Sequence, residues 1–182
     1  MFERILVAVD GSSTANRGLE VAIALARERK AKLSVLYVLD ESAIVQDFAI
    51  AGFAPVAYVD GMFDALRSLG RKVLVHAQKR AATCGIQVTP ILAECLGESV
   101  AQVIVRQSQK LRSGLIVLGT HGRRGFARLT MGSDAEAVVR HATVPVLLVR
   151  SPAAKARRPA RPTVASRPAR KRGAKAERAA AA

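Results

Sequence analysis

Three glycines and a serine mark the part of this chain best suited to chemistry. Gly119, Gly122 and Gly132-Ser133 fall in the spacing Gly-x2-Gly-x9-Gly-Ser, directly after the aliphatic run Leu115–Leu118. Glycine lets backbone N–H groups approach a bound group with no side chain in the way. A helix opening at Gly132-Ser133 would add outward-pointing N–H groups and the positive end of its dipole, which together make a phosphate site. The Ser133 hydroxyl can donate to the same oxygens. Thr120 and His121 lie inside the turn, and Arg123, Arg124 and Arg128 add positive charge to the loop. Asp10 is the second candidate. It closes the run Ile5–Val9 and, with Ala8 and Val9, stands where a carboxylate could accept from ribose hydroxyls or hold a metal-bound water.

Each feature also has a plainer reading. The glycine loop could be a structural crossover, and Asp10 could cap the turn Gly11–Ser13 that follows it. His121 reads as a loop histidine that could touch phosphate but is not catalytic; His76 and His141 read as helical surface or packing residues. No GxxxxGK[ST] is present, which excludes a Walker-type site. No GxGxxG follows the first apolar run, which argues against a dinucleotide enzyme of the usual kind. No Ser/His/Asp set or carboxylate pair follows from spacing, so no residue is assigned a catalytic role.

These residues need elements to hold them. Ile5–Val9 reads as a buried strand running into turn residues. Ser13 or Thr14 then caps a helix to about Lys30, with Leu19, Ala22, Ile23 and Ala26 on one face. Lys32–Val38 is a second strand. Residues 39–61 are long for a plain connection and read as a lid, an extra helix or an interface. A helical period returns from Met62 to Cys84 through Leu66, Leu69, Val73 and Ala77; Gly70 interrupts it and Gly85 ends it. Ile86–Leu92 is a third strand, with Pro90 hinting at a sheet edge. A helix follows from Gly97 through Arg112, then strand Leu115–Leu118, the glycine loop, helix Ser133–Ala142 and strand Val144–Val149. Aliphatic strands alternating with helices predict an α/β fold with a doubly wound, five-stranded parallel sheet.

Composition sets the outer limits. Half of the 182 residues are apolar and Trp is absent, so Val, Leu, Ile and Ala must fill the core. The net charge is +15, but residues 151–182 hold ten Lys/Arg against one acid, a segment charge of +9 that leaves +6 for residues 1–150. The chain therefore divides into a domain, 1–150, and an Ala/Pro/Arg/Lys-rich tail, 151–182, that has nothing to bury and is expected to be disordered. Clustered bases without aromatics suit salt-sensitive, sequence-independent binding of DNA or RNA, and also other polyanions or an anionic membrane surface. The two cysteines, Cys84 and Cys95, read as reduced thiols in or near the core, with a redox pair as the lesser alternative. No signal peptide or transmembrane segment is legible, which makes the cytoplasm the expected location.

Three blocks, the opening ILVAVDGS, the Gly119-x2-Gly122-x9-Gly132-Ser133 pattern and the closing ATVPVLLVR, resemble the universal stress protein family, in order, over about residues 2–150. The resemblance implies a flavodoxin-like or Rossmann-like three-layer sandwich with strand order 3-2-1-4-5, and a homodimer formed through the last strand. It implies an ATP-class adenine nucleotide, often with Mg2+ or Mn2+. The Val38 position packs near adenine, Ala8 and Asp10 contact the nucleoside, and the Gly119–Arg123 turn with Gly132-Ser133 holds the phosphates. Asp134 departs from the apolar residue many relatives carry there, and could weaken phosphate binding or help hold a metal. The expected role is a stress-response sensor or regulator with, at most, slow ATP hydrolysis. The alternative is a nucleic-acid-associated dimer that binds through its basic tails.

Overall fold

The computed structural model describes residues 2–41, 56–95, 97–120 and 131–150, with residues 56–60 described by their backbone alone. The chain divides into two units, Met1–Pro152 and Ala153–Ala182, of which the second lies outside the described residues. In the first unit the elements alternate: β1 (Arg4–Ala8), α1 (Ser13–Arg29), β2 (Lys32–Leu39), α2 (Val56–Thr83), β3 (Val88–Glu94), α3 (Val100–Lys110), β4 (Leu115–Gly119), α4 (Ser133–His141) and β5 (Val146–Val149). The five strands form one parallel sheet in the order β3-β2-β1-β4-β5. This is the expected doubly wound order.

Side-chain alternation along the strands builds a core on each face of the sheet. Ile5, Val7, Leu33, Val35 and Val117 pack with Leu19, Ala22, Leu74 and Ala77 under α1 and α2. Leu6, Leu36, Ile116 and Leu118 pack with Val103, Ile104 and Val138 under α3 and α4. β1 and β4, at the centre, are aliphatic and buried on both faces, as a covered parallel sheet requires. Pro90 sits on β3, an edge strand, in keeping with its missing N–H.

The structure moves several boundaries for visible reasons. Ser12, rather than Ser13 or Thr14, caps α1: its side chain accepts from the Ala15 N–H at 3.1 Å. β3 begins at Val88 rather than Ile86, because the Ile86 N–H is spent on the Ala81 carbonyl (3.0 Å) in the turn that closes α2 at Gly85 (φ 75°). α2 begins at Val56 rather than Met62, so the end of the 39–61 segment is helix; residues 42–55 lie outside the described residues. On α2, Leu69 turns out to be exposed, and the inward face runs through Gly70, Leu74, Ala77 and Ala81. Gly70 is the point of closest approach. A Cβ there would fall 2.7 Å from Leu92 Cδ1 and 2.8 Å from the Tyr37 ring, so only glycine lets α2 settle on β2 and β3. Cys95 is buried as expected, whereas Cys84, in the turn that closes α2, is exposed.

Candidate functional site

β1 has β2 on one side and β4 on the other, and the crossovers leave it in opposite directions. A crevice outside the carboxyl ends of β1 and β4 follows from that reversal. The sequence candidates gather at this edge. The Asp10 carboxylate accepts the Ser12 N–H at 2.9 Å, so the turn-capping role is real, and the residue remains only partly buried. Ala8 and Val38 are half-buried on the same sheet face, that of α3 and α4. The Val9 side chain alternates onto the opposite face, 4% exposed in the α1/α2 core, and its N–H donates to the Leu36 carbonyl at 2.8 Å.

The glycine loop starts and ends in well-defined geometry. The Thr120 N–H donates to the Val149 carbonyl at 3.0 Å, and the Thr120 carbonyl accepts the Gly132 N–H at 2.9 Å. This ties the end of β4 to β5 and to the start of α4, and it spends the two N–H groups that could have met a ligand. Thr120 is 8% exposed, so it acts as a brace. Gly119 has a packing reason beyond ligand access: a Cβ there would lie 2.9 Å from both Ala15 N and Thr14 C in the first turn of α1. Gly132 caps α4 without a side chain, and the first bond of that helix runs from the Glu136 N–H to the Gly132 carbonyl at 3.0 Å. The N–H groups of the preceding turn therefore point out of the helix end, where the exposed Ser133 stands. The candidates His121, Gly122 and Arg123, with Arg124 and Arg128, lie outside the described residues.

The charge around this edge is an acidic counterpart that sequence reasoning missed. Burial pushes the Cys95 thiol up to about 11, and Asp40, Glu41, Asp134 and Glu98 add to the shift. Burial also raises the Glu41 carboxyl, with Glu94 adding and Arg67 opposing. Arg67 reaches from α2 to donate to Glu94 Oε1 at 2.8 Å. The signal was available: Asp40-Glu41, Glu94 and Glu98 all stand at or just past a strand end, as Asp10 does. Asp134 and Glu136 further place two carboxylates in the first turn of α4, against its positive end. Among the described residues no three His, Cys, Asp or Glu side chains converge to hold a metal ion. No described helix is long and apolar enough to cross a membrane.

Comparison with known proteins bears directly on this arrangement. The family model described as "Universal stress protein family" matches residues 1–150. The universal stress protein YxiE of Bacillus subtilis is 35% identical over 152 residues, covering 82% of this chain and all of that protein. A solved universal stress protein family member from Burkholderia pseudomallei is 37% identical with a TM-score of 0.65, over 82% of this chain and 97% of that one. Two further solved structures share the fold at lower identity. One is a universal stress protein in complex with cAMP (19% identical, TM-score 0.58, 83% of this chain and 98% of that one). The other is the Archaeoglobus fulgidus universal stress protein in complex with dAMP (21% identical, TM-score 0.58, 82% and 98%). The strand order, the crevice and the match along the whole of residues 1–150 agree, and the chain belongs to the universal stress protein family.

Proposed function

We propose that the chain binds an adenine nucleotide, ATP in the first instance, in the crevice between the ends of β1 and β4, and serves as a stress-response sensor or regulator in the cytoplasm. The observation that carries this reading is the gathering of Ala8, Asp10 and Val38 on one side of the crevice with the open end of α4 on the other. The half-buried Ala8 and Val38 offer a flat apolar bed for a base, Asp10 an acceptor for ribose, and α4 with Ser133 the donors for phosphate. The cAMP and dAMP complexes of family members support the ligand class. The acidic rim argues that phosphate charge needs an offset. Bases in the 121–130 loop are one source; Mg2+ or Mn2+, held chiefly by phosphate oxygens, is the other. Turnover is expected to be slow at most. A homodimer through β5 fits an edge strand whose Val146, Leu147 and Leu148 are only half covered.

The test is calorimetric titration of the full chain with ATP, with and without Mg2+, beside Gly132→Val. Gly132 has ordinary extended backbone (φ −64°, ψ 148°), a conformation open to valine, whose branches would cover the end of α4; thermal unfolding checks that the variant is folded. Micromolar binding lost in the folded variant is expected. No heat from the wild type, or equal heat from both, overturns the reading. A second reading rests on the ten bases and one acid of residues 151–182: an arm that binds DNA or RNA without sequence preference.

A further inference from the structure

Charge within the folded unit is segregated between the two edges of its sheet. The helices run back against the strands, so the helix C-termini lie at the strands' N-terminal edge. The turns confirm this placement: the Lys32 N–H donates to Glu3 O, and the Gly114 N–H to Arg4 O, each at 2.8 Å. At this edge α1 ends in Arg27, Arg29 and Lys30, α2 in Lys79 and Arg80, α3 in Lys110 followed by Arg112, and α4 in Arg140. Arg4 and Lys32 open the adjacent strands β1 and β2. Three of these bases are answered by acids: Arg29 by Glu28 (3.8 Å), Arg80 by Glu20, and Arg140 by Glu136 (2.9 Å). Arg4, Arg27, Lys30, Lys32, Lys79, Lys110 and Arg112 have no ion pair among the described residues and are all exposed. Glu3 is the one further acid here. The remaining carboxylates discussed above crowd the opposite edge.

Helix-dipole compensation explains bases in the last turns of α1 to α4. It does not explain two other facts. Arg4 and Lys32 are register partners on adjacent strands, a like-charge pair that costs stability without an outside anion. Lys30 (φ 53°) and Arg112 (φ 50°) both occupy left-handed backbone at a helix end, the position that favours glycine or asparagine. A basic side chain is thus held at both places despite a backbone penalty. Five strands spaced about 4.8 Å apart make an edge roughly 20 Å wide, and helix layers about 10 Å to either side give it similar depth. A single phosphate or nucleotide could meet only a corner of such a surface, whereas a polyanion could meet all of it.

We propose that the N-terminal edge of the sheet is a docking surface for the phosphate backbone of duplex nucleic acid. Charge complementarity selects a polyanion. A duplex is favoured over an anionic membrane because, of the exposed large apolar side chains among the described residues, Leu69, Val75 and Met131 lie outside the strand-start and helix-end segments that carry these bases and only Val139, beside Arg140 in the last turn of α4, lies within them, whereas surface binding to lipid draws on a broad apolar face. The inference is independent of the nucleotide crevice at the other edge, and of the bases in residues 151–182.

The test uses the full chain, a labelled duplex of about 30 base pairs and fluorescence anisotropy between about 50 and 200 mM salt. The variant carries Arg27→Gln, Lys32→Gln, Lys79→Gln and Lys110→Gln, all exposed and none in an ion pair; thermal unfolding checks its fold. The expected result is a log–log salt slope shallower by about three to four, with affinity at least about tenfold weaker at low salt. The paired variant Lys79→Gln/Lys110→Gln should lose about half as much slope, and it decides the matter should the fourfold variant not fold. An unchanged slope, or no duplex binding by the wild type, overturns the proposal. Binding to phosphatidylserine vesicles but not to duplex overturns it in favour of a membrane surface, and salt-sensitive self-association without DNA overturns it in favour of a second copy.

Discussion

Thr120, Val9 and Cys95 show how much a residue's role depends on which of its groups are already committed. Thr120 lies in the expected loop, yet both of its backbone hydrogen-bonding groups hold β5 and α4 in place. Val9 neighbours Asp10 in sequence and faces the other core. Such facts are invisible in a string of letters, since they depend on partners brought in from other elements: Val149 and Gly132 for Thr120, Leu36 for Val9. Cys95 supplies a prediction with a sign. Its thiol is raised from an ordinary 9.0 to about 11, first by burial and then by the carboxylates of Asp40, Glu41, Asp134 and Glu98. The unfolded chain ionises first. The stability this thiol contributes is therefore intact below pH 9 and lost as pH rises towards 11. The loss amounts to at most about 3 kcal/mol. Unfolding midpoints measured across that window should fall more steeply in the wild type than in Cys95→Ala; parallel curves would contradict the assignment.

Two glycines in one helix separate what packing demands from what a chain merely tolerates. Gly61 and Gly70 both lie inside α2. Nothing stands within 4 Å of where a Gly61 Cβ would sit, whereas a Gly70 Cβ would strike Leu92 and Tyr37. Gly61→Ala should stabilise the fold by about 0.5–1 kcal/mol through helix propensity alone. Gly70→Ala should destabilise it by about 1–3 kcal/mol through overpacking. Denaturant midpoints of the two variants, expected on opposite sides of the wild type, check this directly. The same residues explain what was legible. β1 and β4 were clear because Ile5, Leu6, Val7, Ile116 and Val117 are apolar on both faces. The start of α2 was not, because the helical period becomes legible only at Met62, while the helix itself runs back through Gly61 to Val56. The start of β3 was misplaced because a hydrogen bond from Ile86 to Ala81 claims for the helix end a residue whose side chain suits a strand.

At the scale of the whole chain, the glycine spacing and the strand-end aspartate pointed to the carboxyl edge of the sheet, while the electrostatics of that edge escaped notice. Asp40, Glu41, Glu94 and Glu98 are scattered in sequence and meet only because parallel strands end together. Net charge concealed this: a total of +15 combines a strongly basic tail with a domain that is acidic at one edge and basic at the other. The tail's own contribution can be isolated by replacing its ten bases with Gln in the full chain. ATP affinity should stay unchanged while most of the salt-dependent duplex binding disappears, leaving the share carried by the domain edge. Altered ATP affinity in this variant would show that the two halves of the chain are not functionally separate.

The central position of β1 also has a consequence in time. Of the five strands of this sheet β1 is made first, but it has β4 as one of its two neighbours, and the ladder between them joins Ile5 to Leu115 and Val7 to Val117. One flank of the oldest strand therefore waits unpaired while about 110 residues are added, several seconds at ordinary translation speeds. Asp10 is made before β2 to β5, and the elements that complete its crevice, β4 and α4, are among the last of the sheet's elements to follow. A nascent chain thus lacks the proposed nucleotide crevice until nearly all of the domain has been made, and a ribosome stalled before Leu115 holds a β1 whose β4 neighbour does not yet exist.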